Sequence, residues 1–372
     1  MRTAADLLLA LALFGLPQSM VHAINQRGAS ASALERLSWR YAAMLLAAAL
    51  VASVLFASGA GAVLLPPWLS GSGALPALLG GCVGWVLQGL LRVFALCRGT
   101  ARQFAWASVM PSLMLLLGVL GLLTAGSQRY EWALALSGLA SALLTAWQLR
   151  PLRARPGWAQ GEPAPLAGLL VDGGHAFAQT VTQALQAWVS LHLMQWHDAT
   201  VAELGRFVFA AYVLQAFGLP TSFVAPLMFA RISEAAGAGR RYAAGGILTR
   251  VLGLSALAAL LGVGLLPVVV PLLFGPAYVA AVPACQLLAL AGPLLVANRL
   301  GVAVLFGQGR FRLATLHALL RAMAVPAGLW LAWRMGGLDV VTGAAAGWLL
   351  AEAAGALAMA WIWIGLPLRP AE

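Results

Sequence analysis

The chain has 372 residues, of which 62% are hydrophobic and 9% charged, whereas soluble domains are roughly 45–50% apolar and about 25% charged. This composition excludes a soluble globular protein, and at about 20 residues per span the length supplies roughly ten to twelve membrane helices. The formal charge of +11 comes from 22 basic residues, all arginines, against 11 acidic ones. In a polytopic membrane protein this balance indicates basic cytoplasmic loops, and we expect no nucleic-acid partner.

Apolar runs bounded by Gly, Pro, Arg or polar clusters predict eleven membrane spans. In chain order they cover residues 4–25, 41–65, 74–96, 104–126, 132–149, 166–194, 207–230, 243–274, 279–306, 313–333 and 340–366. Residues 150–165 are basic, rich in proline and too polar to span a membrane. We therefore predict an all-α polytopic membrane protein with a five-helix N-terminal lobe at 1–149, a cytoplasmic linker at 150–165 and a six-helix C-terminal lobe at 166–372.

An internal repeat relates the two predicted lobes. The segment Phe14-Gly-Leu-Pro-Gln-Ser recurs 203 residues later as Phe217-Gly-Leu-Pro-Thr-Ser, and Arg92 matches Arg299 at an offset of 207. Copies that share one orientation form a parallel repeat about an axis along the membrane normal. A helix precedes the motif in the second half only, so we expect the chain to lack the first helix of a 12-helix core.

The distribution of arginines predicts the orientation. Four arginines fall on the predicted outer side, four lie within spans and fourteen fall on the predicted cytoplasmic side. The fourteen are Arg27, Arg36, Arg40, Arg98, Arg102, Arg150, Arg153, Arg155, Arg231, Arg240, Arg241, Arg310, Arg312 and Arg369. Because cytoplasmic loops carry an excess of positive charge, we predict a protein of the inner membrane with a cytoplasmic C-terminus.

The span at 166–194 carries a polar stripe. Its members recur at steps of 3 or 4 residues, with one adjacent pair, and so share one helix face: Asp172, His175, Gln179, Thr182, Gln183 and Gln186. Such a stripe must face protein or water, because an unpaired polar group in lipid costs several kcal/mol. Two interpretations follow, a lining for a substrate cavity and hydrogen bonding between helices.

Intramembrane arginines give a second group of candidates. Arg92 follows Gln88 by one turn, Arg299 occupies the equivalent position of the second half, and Arg321 shares a helix face with His317. Facing guanidinium groups would bind a diphosphate through charge-assisted hydrogen bonds. The alternative is that these side chains extend to the cytoplasmic interface as anchors.

Two carboxylates, Asp172 and Glu352, are candidates for coupling to a cation or proton, and the alternative for each is a buried pair with an arginine. The sequence contains no GxxxxGK[ST], H-E-x-x-H or G-x-S-x-G motif, and its three cysteines lie far apart. We therefore predict a gradient-driven transporter and not an enzyme, with no cofactor and no bound metal.

Several segments resemble polysaccharide flippases of the multidrug/oligosaccharidyl-lipid/polysaccharide exporter superfamily. They are Leu273-Phe-Gly-Pro-Ala-Tyr-Val-Ala-Ala-Val-Pro, Leu287-Leu-Ala-Leu, Asn298-Arg299, Gly307-Gln-Gly-Arg310, Gly15-Leu-Pro-Gln18 and Val208-Phe-Ala-Ala-Tyr. The resemblance implies a V-shaped, two-lobed inner-membrane carrier that flips undecaprenyl-diphosphate-linked oligosaccharides by alternating access, for polysaccharide or lipopolysaccharide synthesis. It also implies a cationic cavity at Arg92, Arg299 and Arg321, with membrane lipid and polysaccharide-assembly proteins as partners.

Two other functions remain as alternatives. A drug or cation antiporter of the same superfamily would favour acidic residues in the N-terminal lobe, where Asp6 is the candidate. An integral-membrane glycan polymerase or ligase would need a large outer loop, and the longest predicted outer segment, residues 195–206, is short for that role.

Overall fold

The computed structural model describes residues 9, 12–57, 74–126, 130–240, 242 and 245–365. The fold is 88% helical, and the described part has no strand beyond one isolated bridge between Ala29 and Glu162. The predicted all-α class is confirmed. The side chain of Gln183, and Asp6 as a whole, lie outside the described residues.

Eleven helices of more than ten residues fill the described part of the chain, in the order of the eleven predicted spans. They are α1 (Leu16–Gln26), α2 (Ala31–Ala57), α3 (Ala74–Arg98), α4 (Ala101–Thr124), α5 (Tyr130–Gln148), α7 (Leu166–Trp196), α8 (Val201–Gly237), α9 (Gly245–Phe274), α10 (Val282–Gly307), α11 (Phe311–Gly336) and α12 (Val340–Gly365). The short helix α6 (Arg150–Arg153) follows α5, and a 3₁₀ helix (Pro276–Ala281) precedes α10. Within the described ranges, nine helices are long and apolar enough to cross a membrane.

Some helices extend beyond the apolar runs that predict them. Helix α2 begins at Ala31, ten residues before its predicted span, and α8 covers 37 residues, about 55 Å at 1.5 Å per residue. Thr200 caps α8, because its hydroxyl accepts from the Glu203 backbone N–H while the Glu203 carboxylate accepts from the Thr200 N–H. Hydropathy marks only the stretch within the hydrocarbon core, whereas a capped helix continues beyond it.

The fold divides into two compact units, Met1–Phe177 and Ala178–Glu372. In the first unit α3 packs against α1, α2, α4 and α5, and α4 packs against α5. In the second unit α10 packs in the same way against α8, α9, α11 and α12, and α11 packs against α12. The predicted repeat is thus reproduced in the order of the helices and in their packed pairs.

Residues 150–165, the predicted linker, pack within the first unit. Trp158 is 7% exposed, and its ring centroid lies 5.5 Å from that of Phe94 on α3. The backbone N–H groups of Ser30 and Ser32 donate to the carbonyls of Glu162 and Trp158. The boundary between the units falls inside α7, after Phe177, while the lobe limits drawn from the sequence remain a prediction.

Candidate functional site

The first part of α7 places Asp172 in an ion pair. Its Oδ2 accepts from Arg27 Nη2 at 2.8 Å, just after the end of α1, within the first unit. His175 lies half-buried about one turn further along α7. Asp172 is thus paired with an arginine, while its role in coupling stays a prediction.

The second part of α7 lines a small cavity in the second unit. Gln179, Thr182 and Gln186 face His317 and Arg321 of α11 around a space of about 10 Å³, which holds about one water molecule. Gln186 is buried, and its Nε2 atom has no hydrogen-bond partner among the described residues. The stripe therefore lines a cavity here, but one of the size of a water molecule rather than of a sugar.

A buried polar network continues from this cavity. Arg321 forms an ion pair through Nη2 with Oε1 of Glu352, which is fully buried on α12. The other carboxylate oxygen accepts from Asn298 Nδ2 at 2.8 Å, and Asn298 Oδ1 lies 3.2 Å from His317 Nε2. Three helices, α10, α11 and α12, thus share one hydrogen-bonded group of four side chains, in which Glu352 and Arg321 neutralise each other.

Arg299 has a different environment, made of neutral groups. Its Nη1 donates to the Gly218 carbonyl at 3.1 Å and lies 3.4 Å from Thr221 Oγ1, while Nη2 donates to Gln215 Oε1 at 3.2 Å. All three partners lie on α8. Gly218 and Thr221 belong to the repeated Phe-Gly-Leu-Pro-Thr-Ser segment, and Gln215 lies two residues before it. Sequence reasoning did not assign Gln215 or Thr221, although the repeat of that segment was a signal that could have pointed to them.

Arg92 and Gln88 lie in the first unit. The guanidinium carbon of Arg92 is 5.8 Å from the centroid of the Phe104 ring on α4, a cation–π contact. Gln88 is buried, and its Nε2 donates to the Ala107 carbonyl of α4 at 2.5 Å. The equivalent residues Arg92 and Arg299 thus contact non-equivalent neighbours, the following helix in one unit and the motif-bearing helix in the other.

Ion pairs neutralise part of the charge of the described residues. Each of four carboxylates is paired with an arginine, in the pairs Arg27–Asp172, Arg153–Glu35, Arg231–Glu234 and Arg321–Glu352. Within the described ranges no carboxylate lies at ion-pair distance from Arg92 or Arg299. Of the four arginines that lie within predicted spans, Arg321 is paired with a carboxylate, whereas Arg92, Arg250 and Arg299 have no such partner in the part of the chain that the structure describes. In the same part of the chain no group of three or more His, Cys, Asp or Glu side chains is placed to hold a metal ion.

Comparisons with known proteins place the fold. No protein-family model matches the sequence, and no curated protein matches it. Solved structures do match: a mutant of the Vibrio cholerae MATE transporter VcmN has a TM-score of 0.75 at 14% identity, covering 98% of this chain and 86% of that one. An outward-facing multidrug resistance MATE family transporter of the MOP superfamily has a TM-score of 0.77 at 14% identity, over 96% and 84% of the two chains.

The MATE transporter ClbM in complex with Rb⁺ matches with a TM-score of 0.69 at 18% identity, over 99% of this chain and 85% of that one. The chain therefore has the fold of the multi-pass MATE transporters of the MOP superfamily. The TM-scores establish the similarity in fold. Because the sequence identities are only 14–18%, this similarity does not extend to the cargo, which has to be inferred from this chain's own residues.

Proposed function

We propose that the protein is a membrane transporter that moves its cargo across the inner membrane by alternating access. The similarity in fold to solved MATE transporters supports this proposal. Polar side chains within apolar helices support it as well, because such groups are expensive in a membrane and commonly mark a transport route.

The cargo that the charges favour is an anionic lipid-linked glycan, such as an undecaprenyl-diphosphate-linked oligosaccharide. The observation that carries this proposal is that Arg92 and Arg299, inside apolar helices, have no carboxylate partner among the described residues, whereas the candidate carboxylates of the membrane helices, Asp172 and Glu352, are each paired with another arginine. Uncompensated guanidinium groups attract anions and repel cations. In this proposal each unit binds the diphosphate through its own arginines, Arg92 in the first unit and, in the second, Arg299 together with Arg321 after its release from Glu352.

The sugar would follow neutral donors and acceptors on α7, namely His175, Gln179, Gln183 and Gln186. Since the cavity at Gln179 and Gln186 has room for about one water molecule, passage requires α7 and α11 to separate there. Gln88 contributes to packing instead, because its amide already binds the Ala107 carbonyl.

Coupling would use the ion-paired carboxylates. Protonation of Glu352 removes the charge that holds Arg321, and protonation of Asp172 removes the charge that holds Arg27. Either event frees a guanidinium group, so proton uptake and anion binding would be linked through the same pairs.

A drug or cation antiporter is the second candidate, and the comparisons support it better than the glycan flippase. One matched structure is named as a multidrug resistance MATE family transporter. For this chain a cationic cargo would need a carboxylate of the membrane helices that has separated from its arginine, and Asp172 and Glu352 are the candidates.

The deciding experiment measures periplasmic glycan in a strain that lacks its own flippase. We expect Arg92→Gln and Arg299→Gln each to lose about 1.5–3 kcal/mol of charged hydrogen bonding and most export, and Gln179→Ala to lose nearer 1 kcal/mol and keep partial export. The matched control is Arg231→Gln, which removes an exposed arginine paired with Glu234 and should export normally.

Accumulation of a cationic dye in an efflux-deficient strain is measured in parallel, with the membrane abundance of every variant. The flippase proposal is wrong if both arginine variants export at the wild-type level at normal abundance. Dye efflux that depends on Asp172 or Glu352 would establish the antiporter instead.

A further inference from the structure

A basic pocket of about 520 Å³ lies in the first unit, where α4 begins and α5 ends. It is separate from the residues proposed for transport. Three arginines line it, Arg102 on α4, Arg150 on α6 and Arg155 just beyond α6. Trp106, Trp147 and Gln148 also line the pocket.

The three arginines bring positive charge without a counter-ion. Within the described ranges none of them lies at ion-pair distance from a carboxylate. Arg155 Nη1 donates to the Arg98 carbonyl at 3.4 Å, a neutral acceptor that leaves its charge in place. Three like charges around one concave space favour an anion, and a phosphate accepts from several guanidinium groups at once.

An apolar surface continues from the pocket along α5. Trp147 is 61% exposed, and Leu143 and Leu139 follow on the same face at intervals of four residues, 65% and 51% exposed. Trp106, 45% exposed, stands on the other wall, on α4. Tryptophans beside arginines are typical of the membrane–water interface, and exposed leucines at helical spacing suit acyl chains.

Gln148 adds a specific polar group. Its Oε1 atom is buried and has no hydrogen-bond partner among the described residues. A buried acceptor without a donor is costly, so a turn of the Gln148 side chain towards a ligand hydroxyl group in the pocket would gain a hydrogen bond. The pocket thus offers an anion site, a hydroxyl site and an apolar surface in one place.

We propose that this pocket binds an anionic phospholipid of the phosphatidylglycerol type. The arginines hold the phosphodiester, Gln148 accepts a hydrogen bond from a glycerol hydroxyl, and the acyl chains lie along Trp147 and the α5 leucines. The lipid is a structural ligand and not the cargo, so this proposal holds or fails independently of the proposed function.

The test uses the purified full-length protein in a neutral detergent, with lipid binding followed by native mass spectrometry. We expect dioctanoyl phosphatidylglycerol to bind at least about tenfold more tightly than dioctanoyl phosphatidylcholine, which carries no net charge. The triple variant R102Q/R150Q/R155Q should lose about ten- to a hundredfold in affinity for phosphatidylglycerol. The control R231Q/R240Q/R310Q removes the same charge from the second unit and should bind as the wild type does.

Two further measurements identify the ligand. Gln148→Leu should weaken phosphatidylglycerol but not phosphatidylmethanol, a phosphodiester lipid that has no head-group hydroxyl. Inorganic phosphate and glycerol 1-phosphate should fail to compete, because neither has acyl chains. Equal binding of the charged and neutral lipids, an equal loss in the control triple variant, or full competition by inorganic phosphate would each overturn the proposal.

Discussion

At the scale of single residues, the buried charges are organised as neutral pairs. Glu352 is 0% exposed, yet it meets Arg321 and the Asn298 amide, so the charge and both carboxylate oxygens are compensated. A buried pair adds little over apolar residues, but removing one partner leaves an uncompensated charge. The hydrogen-bonded group of Asn298, His317, Arg321 and Glu352 therefore constrains how α10, α11 and α12 can pack.

We predict that Glu352→Gln destabilises the protein by about 3–5 kcal/mol, because Arg321 keeps its charge without a counter-ion. The double variant Arg321→Gln/Glu352→Gln should recover a substantial part of that loss. The stability of both variants is measured by heating them in detergent and recording, at each temperature, the fraction of protein that remains monodisperse. The control Glu234→Gln breaks an exposed pair and should change stability by less than about 1 kcal/mol. A double variant no more stable than Glu352→Gln would contradict this account.

At the scale of helices, contact between glycines brings backbones together. A Cβ atom at Gly84 of α3 would lie 2.4 Å from the carbonyl carbon of Gly138 on α5, and one at Gly138 would lie 2.5 Å from the Gly81 carbonyl oxygen. Small residues let membrane helices approach closely, where packing rather than hydrophobicity drives association. Helices α11 and α12 approach each other in the same way, since a Cβ atom at Gly328 would lie 2.7 Å from the Gly347 carbonyl oxygen.

Gly84→Ala is therefore expected to cost about 1–3 kcal/mol, because the methyl group meets backbone that cannot move aside. Gly80→Ala is the matched control: it lies one turn earlier on α3, and a Cβ there has nothing within 4 Å. That control should be neutral or stabilising by up to about 1 kcal/mol through helix propensity. Comparison of the two melting temperatures tests the contact, and equal melting temperatures would contradict it.

The segment at 150–165 is a second feature at this scale, since Trp158 fixes it to the first unit. We expect Trp158→Ala to release the segment, so that trypsin cleaves the Arg153–Ala154 bond several times faster than in the wild type. Trp361→Ala, which removes a 73% exposed side chain, should leave the cleavage rate unchanged. Wild-type cleavage kinetics in the Trp158 variant would show that the backbone hydrogen bonds of Ser30 and Ser32 hold the segment alone.

At the scale of the whole molecule, two units share one sequence of helices and one set of packed pairs. Fourteen of the 22 arginines fall on the side predicted to be cytoplasmic. This distribution predicts in which direction each helix of the two units crosses the membrane. Residues 150–165 and the C-terminus belong to that same side in the prediction.

Reporter fusions check this topology. Fusions after Arg155 and Glu372 should be active as cytoplasmic reporters, and a fusion after Asp198, between α7 and α8, should be active as a periplasmic one. The positive-inside distribution is the physical reason, because arginine-rich loops are retained on the cytoplasmic side. A periplasmic signal after Arg155 or Glu372 would overturn the orientation.

The sequence by itself determined the class of fold, because each crossing of a hydrocarbon core needs about 20 apolar residues and such runs are visible in one dimension. It also determined the repeat, since Phe14 and Phe217 head two copies of one segment. The ends of the helices did not follow from apolar runs: α2 and α8 extend into polar sequence, where local hydrogen bonds decide where a helix stops.

Only the tertiary structure decided which polar groups meet. Glu352 and Arg321 lie on separate helices, and Arg27, just after α1, meets Asp172 on α7. Spacing along the chain says nothing about such contacts between distant segments. Arg92 and Arg299 are equivalent in the repeat, yet one lies over an aromatic ring and the other binds α8. A repeat fixes backbone positions, whereas the direction of a long side chain depends on the neighbours that packing gives it.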